Sequence, residues 1–227
     1  MFAKFLKPPP QLTQKLVVNF RNRTNSLNNL LVRSDKDLGG FSSVNLSVVD
    51  GESRVDPEAA RTPASPGDPP TFGRFEGNLN LDLPEGRPDL IRLGYAMFRT
   101  RDPEAGFMGL AGPEFHDWSM FNQLALRVRG DFRRYFINIQ AETPYPTDLY
   151  QHRLFLKTPG QWETVTVPFS SFILTNGGVI QEQQQLDTEH VRSVGIGLID
   201  GQYGPYRLDI DWIKVISGDV SLVLTLP

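Results

Sequence analysis

The sequence predicts an all-β fold, a two-sheet antiparallel jelly-roll β-sandwich, on three observations. From Thr71 to Ile216, short segments rich in Phe, Ile, Val, Leu and Thr follow one another, separated by Gly, Pro and Asp. Several alternate: Leu124, Leu126 and Val128 against Ala125, Arg127 and Arg129; Val165 and Val167 against Thr164 and Thr166; Leu208, Ile210 and Trp212 against Arg207, Asp209 and Asp211. Such alternation buries one face and wets the other, as antiparallel sheets do. No long helix lies between the segments, which disfavours parallel βαβ units. About nine short strands on turn-rich connections fit two packed sheets, with a closed barrel as the alternative.

Residues 1–33 hold six Lys/Arg and no acid, although the whole chain has 26 acidic and 23 basic residues. This start reads as a basic N-terminal arm, with a short helix around Leu12, Leu16, Val17 and Phe20 that an Asn-rich middle weakens. An arm of this kind suits an organelle-targeting segment, attachment to an anionic membrane surface, or plain solvation. No stretch approaches the ~20 apolar residues that span a bilayer, and three prolines interrupt MFAKFLKPPP before a secretory-type apolar run develops. The expectation is a soluble or peripheral protein.

The stretch SDKDLGGFSSVNL comes next. Ser34, Asp35 and Asp37 are expected to cap and form a turn, and Gly39 and Gly40 to bend the chain free of a Cβ clash before Phe41 enters the first strand. Its charge and exposure also suit a partner-binding rim. Residues 51–70, with five prolines and little to bury, read as a disordered insertion between two strands. TFGRFEGNLNL, LIRLGYAMFRT, FNQLALRVRG, RYFINIQAE, YQHRLFLK, WETVTVPF, SVGIGLI and YRLDIDWIKVI each read as a strand. The domain is expected to cover 34–216, with 217–227 as a C-terminal tail, and the arm and insertion are expected to be separable from it.

Residue chemistry argues against an enzyme, a cofactor site or a metal site. There is no cysteine, and His116, His152 and His190 lie in unlike settings without short metal-ligand spacing. His116-Asp117 are chain neighbours, a poor start for a triad, and no Gly-x-Ser-x-Gly elbow is present. Asp209 and Asp211 face one way on a strand, where they are more often solvated partners of arginines than a glycosidase pair. The glycine clusters DLGGFS, NGGV and GIGLIDGQYGPY are not followed by helices and read as turns or bulges. Arg127, Arg129, Arg133 and Arg134 surround a turn at Gly130-Asp131, suited either to phosphate or an acidic partner, or to keeping a sheet edge soluble. An acidic body without an RNP or helix motif disfavours nucleic acid. In GQWETVTVPFSSF, Trp162 is either a core anchor or an exposed platform; it cannot share one strict face with Val165 and Val167, which implies a bulge or twist near Glu163.

Five segments, SDKDLGGFSSVNL, FGRFEGNLNL, FNQLALRVRGDFRRYFINIQ, YQHRLFLKTPGQWETVTVPFSSF and VRSVGIGLIDGQYGPYRLDIDWIKV, together resemble the complex I intermediate-associated protein family, mitochondrial assembly factors of respiratory complex I. The resemblance covers most of 34–216, and the proline-rich insertion departs from it. It implies a galactose-binding-like jelly roll and a non-enzymatic, chaperone-like factor. It also implies membrane-arm intermediates of complex I and other assembly factors, including an acyl-CoA dehydrogenase-like protein, as partners. The implied location is the mitochondrial matrix, peripheral to the inner membrane. Asp35, Asp37, Arg127, Arg129, Arg133, Arg134, Tyr145, Tyr150, Tyr203 and Tyr206 are the candidate partner-binding residues. The alternative is a carbohydrate-binding module presenting Tyr145, Tyr150, Trp162, Tyr203 and Tyr206 to sugar rings. An enzyme acting through Asp209, Asp211 and His152 ranks last, since nothing assembles them into roles.

Overall fold

A computed structural model describes residues 13–21, 26–51, 68–90, 93–103 and 115–218. Within them lie the strands β1 (Gln14–Asn19), β2 (Leu30–Ser34), β3 (Ser43–Asp50), β4 (Thr71–Leu79), β5 (Ala96–Thr100), β6 (Gln123–Gly130) and β7 (Tyr135–Ala141). They are followed by β8 (Asp148–Arg153), β9 (Glu163–Pro168), β10 (Ile173–Asn176), β11 (Val179–Ile180), β12 (Val191–Leu198) and β13 (Gly204–Ile216). One sheet has the order β3-β4-β13-β6-β9 with β1 also on β13; the other runs β11-β10-β8-β7-β12-β5-β2. Adjacent strands pair antiparallel throughout. The two-sheet β-sandwich expected from sequence is therefore the fold.

The longest strand, β13, organises the first sheet. Its residues 204–210 pair with β4, its residues 212–216 pair with β1, and β6 follows its other edge. Where the partner changes, the register with β6 shifts between Ile210 and Trp212, so Asp211 is a bulged extra residue. The inward apolar sets of both sheets form one core, with Phe75 of β4 edge-on to Phe98 of β5 at 5.2 Å and tilted against Tyr206 of β13 at 5.1 Å.

The region expected to be a basic arm with a helix contains two strands instead. Val18 and Phe20 are buried in the core while Val17 and Asn19 are only partly covered, a period-two pattern that a helix does not give, and Leu16 is exposed on the far side of a register shift. The Phe20 ring occupies the space a Cβ on Gly73 would need, since that atom would lie 2.6 Å from it. The open edge of β13 supplied a partner that local propensity could not reveal. The sandwich thus includes β1 and β2, ahead of the expected boundary at residue 34. Leu12 and residues 1–11 lie outside the described residues.

The insertion joins β3 to β4, which pair up to Asp50↔Thr71, and the Gly51 N–H donates to the Pro70 carbonyl at 2.7 Å. The disorder expected of this segment concerns residues 52–67, outside the described residues, as does most of the tail (219–227). The sequence reading also missed β10 and β11, a hairpin whose two turn residues, Gly177 and Gly178, both have positive φ, 56° and 81°. This is what NGGV encodes.

Because Phe20 is wholly buried, Phe20→Ala is expected to lower unfolding free energy by about 3–5 kcal/mol in a urea titration. A loss below ~1 kcal/mol, the level of a surface change, would return this segment to the status of a separable arm.

Candidate partner-binding end of the sandwich

Strand register brings the same loops to one end of both sheets. In the β13 sheet, Leu79 pairs Gly204, Asn78 pairs Ser43 and Leu208 pairs Gly130. In the other, Ala96 lies beside both Ser34 and Leu198, Leu198 beside Tyr135, and Phe136 beside Arg153. Residues 35–42, 80–90, 93–95, 131–134, 154–162 and 199–203 therefore gather at this end. They include the turns of SDKDLGGFSSVNL, GDFRRY, LKTPGQW and LIDGQYGPY.

Asp35 is the pin of the first loop. It opens a 3-10 turn, Asp35–Leu38, whose N-cap Ser34 accepts from the Lys36 N–H and whose C-cap Gly39 is left-handed at φ 91°. The Asp35 carboxylate is wholly buried and accepts from the Ser42 N–H (2.9 Å), the Ser42 hydroxyl (2.7 Å) and the Gly94 N–H (2.7 Å). Ser42 in turn receives the Asn80 N–H through its hydroxyl at 3.0 Å. One side chain thus ties the end of β2, the start of β3 and the loop before β5. A Cβ on Gly40 would sit 2.5 Å from the Asp35 carboxyl carbon, so glycine is required there. The turn and capping roles expected of Ser34, Asp35, Gly39 and Gly40 hold. Phe41, however, stays exposed and precedes β3, the third strand and not the first.

Arg133 fixes the opposite side. Its Nε and Nη2 bind Asp200 at 2.7 and 2.9 Å, and its other N–H groups donate to the carbonyls of Gln202 (2.7 Å), Gly204 (3.0 Å) and Pro205 (2.8 Å). Burial alone would raise the Asp200 carboxyl, but the Arg133 hydrogen bonds and charge hold it below the usual range. Asp131 accepts from the Arg133 and Arg207 N–H groups, the turn chemistry expected of Arg-Gly-Asp. Glu163 accepts from the N–H groups of Lys157 and Thr158, closing the loop before β9.

Among the charged and polar groups left at the surface of this end stand several apolar side chains. Phe132 is 89% exposed, and Phe41, Leu38, Leu83, Phe155 and Tyr203 are exposed with it. Beside Phe132 lies an open hollow of about 700 Å³, also lined by Arg133, Pro205, Tyr206 and Arg207.

The candidate residues divide accordingly. Asp37, Arg134 and Tyr203 are exposed here, Asp37 pairing with Arg33 at 3.4 Å and Tyr203 donating to Asp82 at 2.7 Å. Asp35, Tyr206 and Tyr150 are buried, the two hydroxyls donating to the Ser43 and Gln185 carbonyls, and Arg133 is committed to its clamp. These four hold the structure and present no free surface. Tyr145 is exposed at the opposite end, before β8. The sequence reading missed Phe41, Phe132 and Phe155. Phe41 follows Gly40 and Phe132 stands between Asp131 and Arg133, a signal of an apolar side chain at a turn, whereas Phe155 lies between Leu154 and Leu156 and carries no such mark.

Arg127 and Arg129 belong to the outer face of the β13 sheet. Asp209 there is gripped by Arg74, Arg129 and Arg207, Asp211 by Arg21 and Arg127. The face expected to be wet is therefore covered, and both aspartates are buried and not solvated. Burial pushes Asp209 up, but its arginines outweigh it and keep the carboxyl below the usual range. Trp162 lies over Arg129 (4.8 Å) and edge-on to Phe72 (5.5 Å), half-buried on this same outer face. It is neither core anchor nor open platform. The β6–β9 register runs unshifted to Val128↔Glu163, so the bulge expected near Glu163 is absent. His116 stacks on Trp118, His152 packs against Phe172 and His190 bonds Asp187, three separate packing roles. Among the described residues, no group of three or more His, Asp or Glu is placed to hold a metal.

Asp35→Ala strands three buried donors, so it is expected to cost about 3 kcal/mol or more in chemical denaturation. A cost under ~1 kcal/mol would show that the loop end does not depend on this carboxylate.

Comparison with known proteins places this geometry. The model of the family complex I intermediate-associated protein 30 matches residues 18–210. A mitochondrial complex I intermediate-associated protein 30 from Neurospora crassa is 39% identical over 203 residues, 83% of this chain and 72% of that protein. The Mus musculus protein of the same name is 30% identical over 207 residues, 89% of this chain and 56% of the relative, so the chain spans little more than half of the mouse protein. Among solved structures, the family 11 carbohydrate-binding module of the cellulase Lic26A-Cel5E of Clostridium thermocellum superposes with a TM-score of 0.57 at 15% identity, covering 91% of this chain and 95% of the module. That likeness is one of fold. By the match across most of its length and by both relatives, the chain belongs to the complex I intermediate-associated protein 30 family.

Proposed function

We propose that this chain is a non-enzymatic, protein-binding assembly factor for mitochondrial respiratory complex I, working through the loop end of the sandwich. The observation that carries this reading is the family match over residues 18–210, shared with fungal and animal proteins named as mitochondrial complex I intermediate-associated proteins. The geometry supports the chosen surface. Buried carboxylates and a saturated guanidinium hold the loops rigid, while Phe132, Phe41, Phe155 and their neighbours remain in water, where a protein partner gains by covering them. The proposed partners are membrane-arm intermediates of complex I and other assembly factors, an acyl-CoA dehydrogenase-like protein among them. The proposed location is the matrix face of the inner membrane, held peripherally; no helix among the described residues is long and apolar enough to cross a membrane.

A sugar-binding role has less support. Two of its five aromatic candidates, Tyr150 and Tyr206, are buried, and Trp162 is capped by Arg129. Tyr145 and Tyr203 lie at opposite ends of the sandwich and cannot form one platform.

In mitochondria whose endogenous protein is replaced by a tagged copy of this chain, complex I membrane-arm subunits are expected to co-purify with it. The double variant Phe41→Ser/Phe132→Ser, folded by circular dichroism, is expected to lose at least tenfold of that yield, and Val179→Ser/Ile180→Ser at the edge of the other sheet to keep it. Undiminished capture by the first variant would move the site elsewhere. Absence of complex I subunits with the unaltered chain would overturn the function.

A further inference from the structure

The outer face of the β13 sheet carries more arginine than its fold requires. Three guanidiniums from three neighbouring strands converge on Asp209. Arg129 binds Oδ2 through Nε and Nη2 at 3.1 and 2.7 Å, Arg74 binds Oδ1 at 2.9 Å, and Arg207 stands off at 3.4 and 3.5 Å. Farther along β13, Arg21 grips both oxygens of Asp211 at 2.7 Å, with Arg127 at 3.5 Å. Arg129 also lies over the edge-to-face pair Phe72 and Trp162, 5.3 and 4.8 Å from their ring centroids, which helps hold its guanidinium in place.

The charges are layered. The aspartate side chains are 2% and 0% exposed, whereas those of Arg207 and Arg21 are 43% and 49% exposed. A partner approaching this face meets the outer edges of guanidiniums while the carboxylates lie beneath them. Glu76 on β4 is the cross-strand neighbour of Arg207, a single carboxylate beside the guanidinium cluster, Lys214 faces outward farther along β13 over Trp212, and Asp131 at the rim already binds two backbone N–H groups. Arg207 and Arg21 are set by Asp209 and Asp211 at opposite ends of this cluster. Strand geometry separates residue 207 from residue 211 by roughly 13 Å.

We propose that this face docks an extended acidic segment of a protein partner, its carboxylates meeting Arg207 at one end and Arg21 at the other. Acidic residues four apart on an extended chain match that span. Guanidinium forks already engage carboxylates here in two-pronged fashion, the geometry an incoming Glu or Asp repeats. A bilayer fits the face less well, since among the described residues the exposed large apolar side chains near it, Phe132 beside Arg207 and Leu16 opposite Lys214, stand at its two ends and none lies between Arg207 and Arg21. The site adjoins the apolar loop end, since Arg207 also lines the hollow beside Phe132, but it rests on the arginines and stands whether or not that end binds complex I.

The test is fluorescence anisotropy of a labelled decaglutamate peptide with the purified full chain. At a net charge of −3, the chain repels such a peptide on average, so binding needs a local positive surface. Binding is expected at 50 mM salt and to weaken steeply at 200 mM. Arg207→Gln, in which Asp209 keeps Arg74 and Arg129, and the double variant Arg21→Gln/Arg207→Gln should bind progressively less, the double at least tenfold less. Arg21→Lys/Arg207→Lys should not restore binding. Arg101→Gln/Arg192→Gln, an equal loss of charge on the other sheet, should leave it intact. Unchanged binding by the Gln variants, equal loss in the control, or full rescue by lysine would overturn the proposal. So would arginine-dependent binding to phosphatidylglycerol vesicles without binding to the peptide, which would make the ligand a lipid headgroup.

Discussion

The loop end of this molecule depends on a buried carboxylate whose partners, among the described residues, are N–H and O–H groups and not a cation. Asp35 sits where the chain leaves one sheet at Ser34 and enters the other at Ser43, and its two oxygens take the Ser42 N–H, the Ser42 hydroxyl and the Gly94 N–H. Burying a carboxylate without such donors is unfavourable by several kcal/mol, so the three bonds and the fold imply one another. Gly40 leaves the room, Ser34 caps the turn, and Asn80 follows through Ser42. Arg133 with Asp200, and Glu163 with Lys157 and Thr158, fix the remaining loops in the same manner, by a buried or shielded charge saturated with backbone partners. The apolar side chains outside that frame are held out in water by it.

Much of the fold was legible in the sequence because one face of each central strand has a two-residue apolar period. The strands that escaped notice lack it or are too short to show it. In β1 the apolar residues Leu16, Val17, Val18 and Phe20 fit a helix as well as an edge strand until β13 is there to receive them. β10 and β11 together number six residues, and only the Gly177-Gly178 turn marks them. The bulge at Asp211 was invisible for a different reason: it arises where β13 exchanges β4 for β1, a consequence of topology and not of local sequence.

The site was less legible than the fold. Sequence motifs drew attention to charged and aromatic residues, and the structure assigns many of these to holding loops together: Asp35, Arg133, Tyr150 and Tyr206 are consumed internally. The surface they create includes Phe41, Phe132 and Phe155, residues that a pattern reading assigns by default to a core. Likewise, the outward half of FNQLALRVRG reads as solvated, yet Arg129 is packed on the Phe72 and Trp162 rings and paired to a buried aspartate. Arginine serves two ends in this sandwich, as a saturated clamp at Arg133 and as an exposed cationic layer at Arg207 and Arg21, and only the partners' positions in space tell the two apart.

The claim that the loop end is where the protein meets complex I is most directly tested by hydrogen exchange of the full chain, free and bound to a purified membrane-arm assembly intermediate. The account predicts slowed exchange in residues 36–42, 131–134, 154–158 and 199–203, with the β10–β11 hairpin unchanged. Protection confined to β10 and β11 or to the outer face of their sheet, with the loop end exchanging as in the free protein, would contradict it.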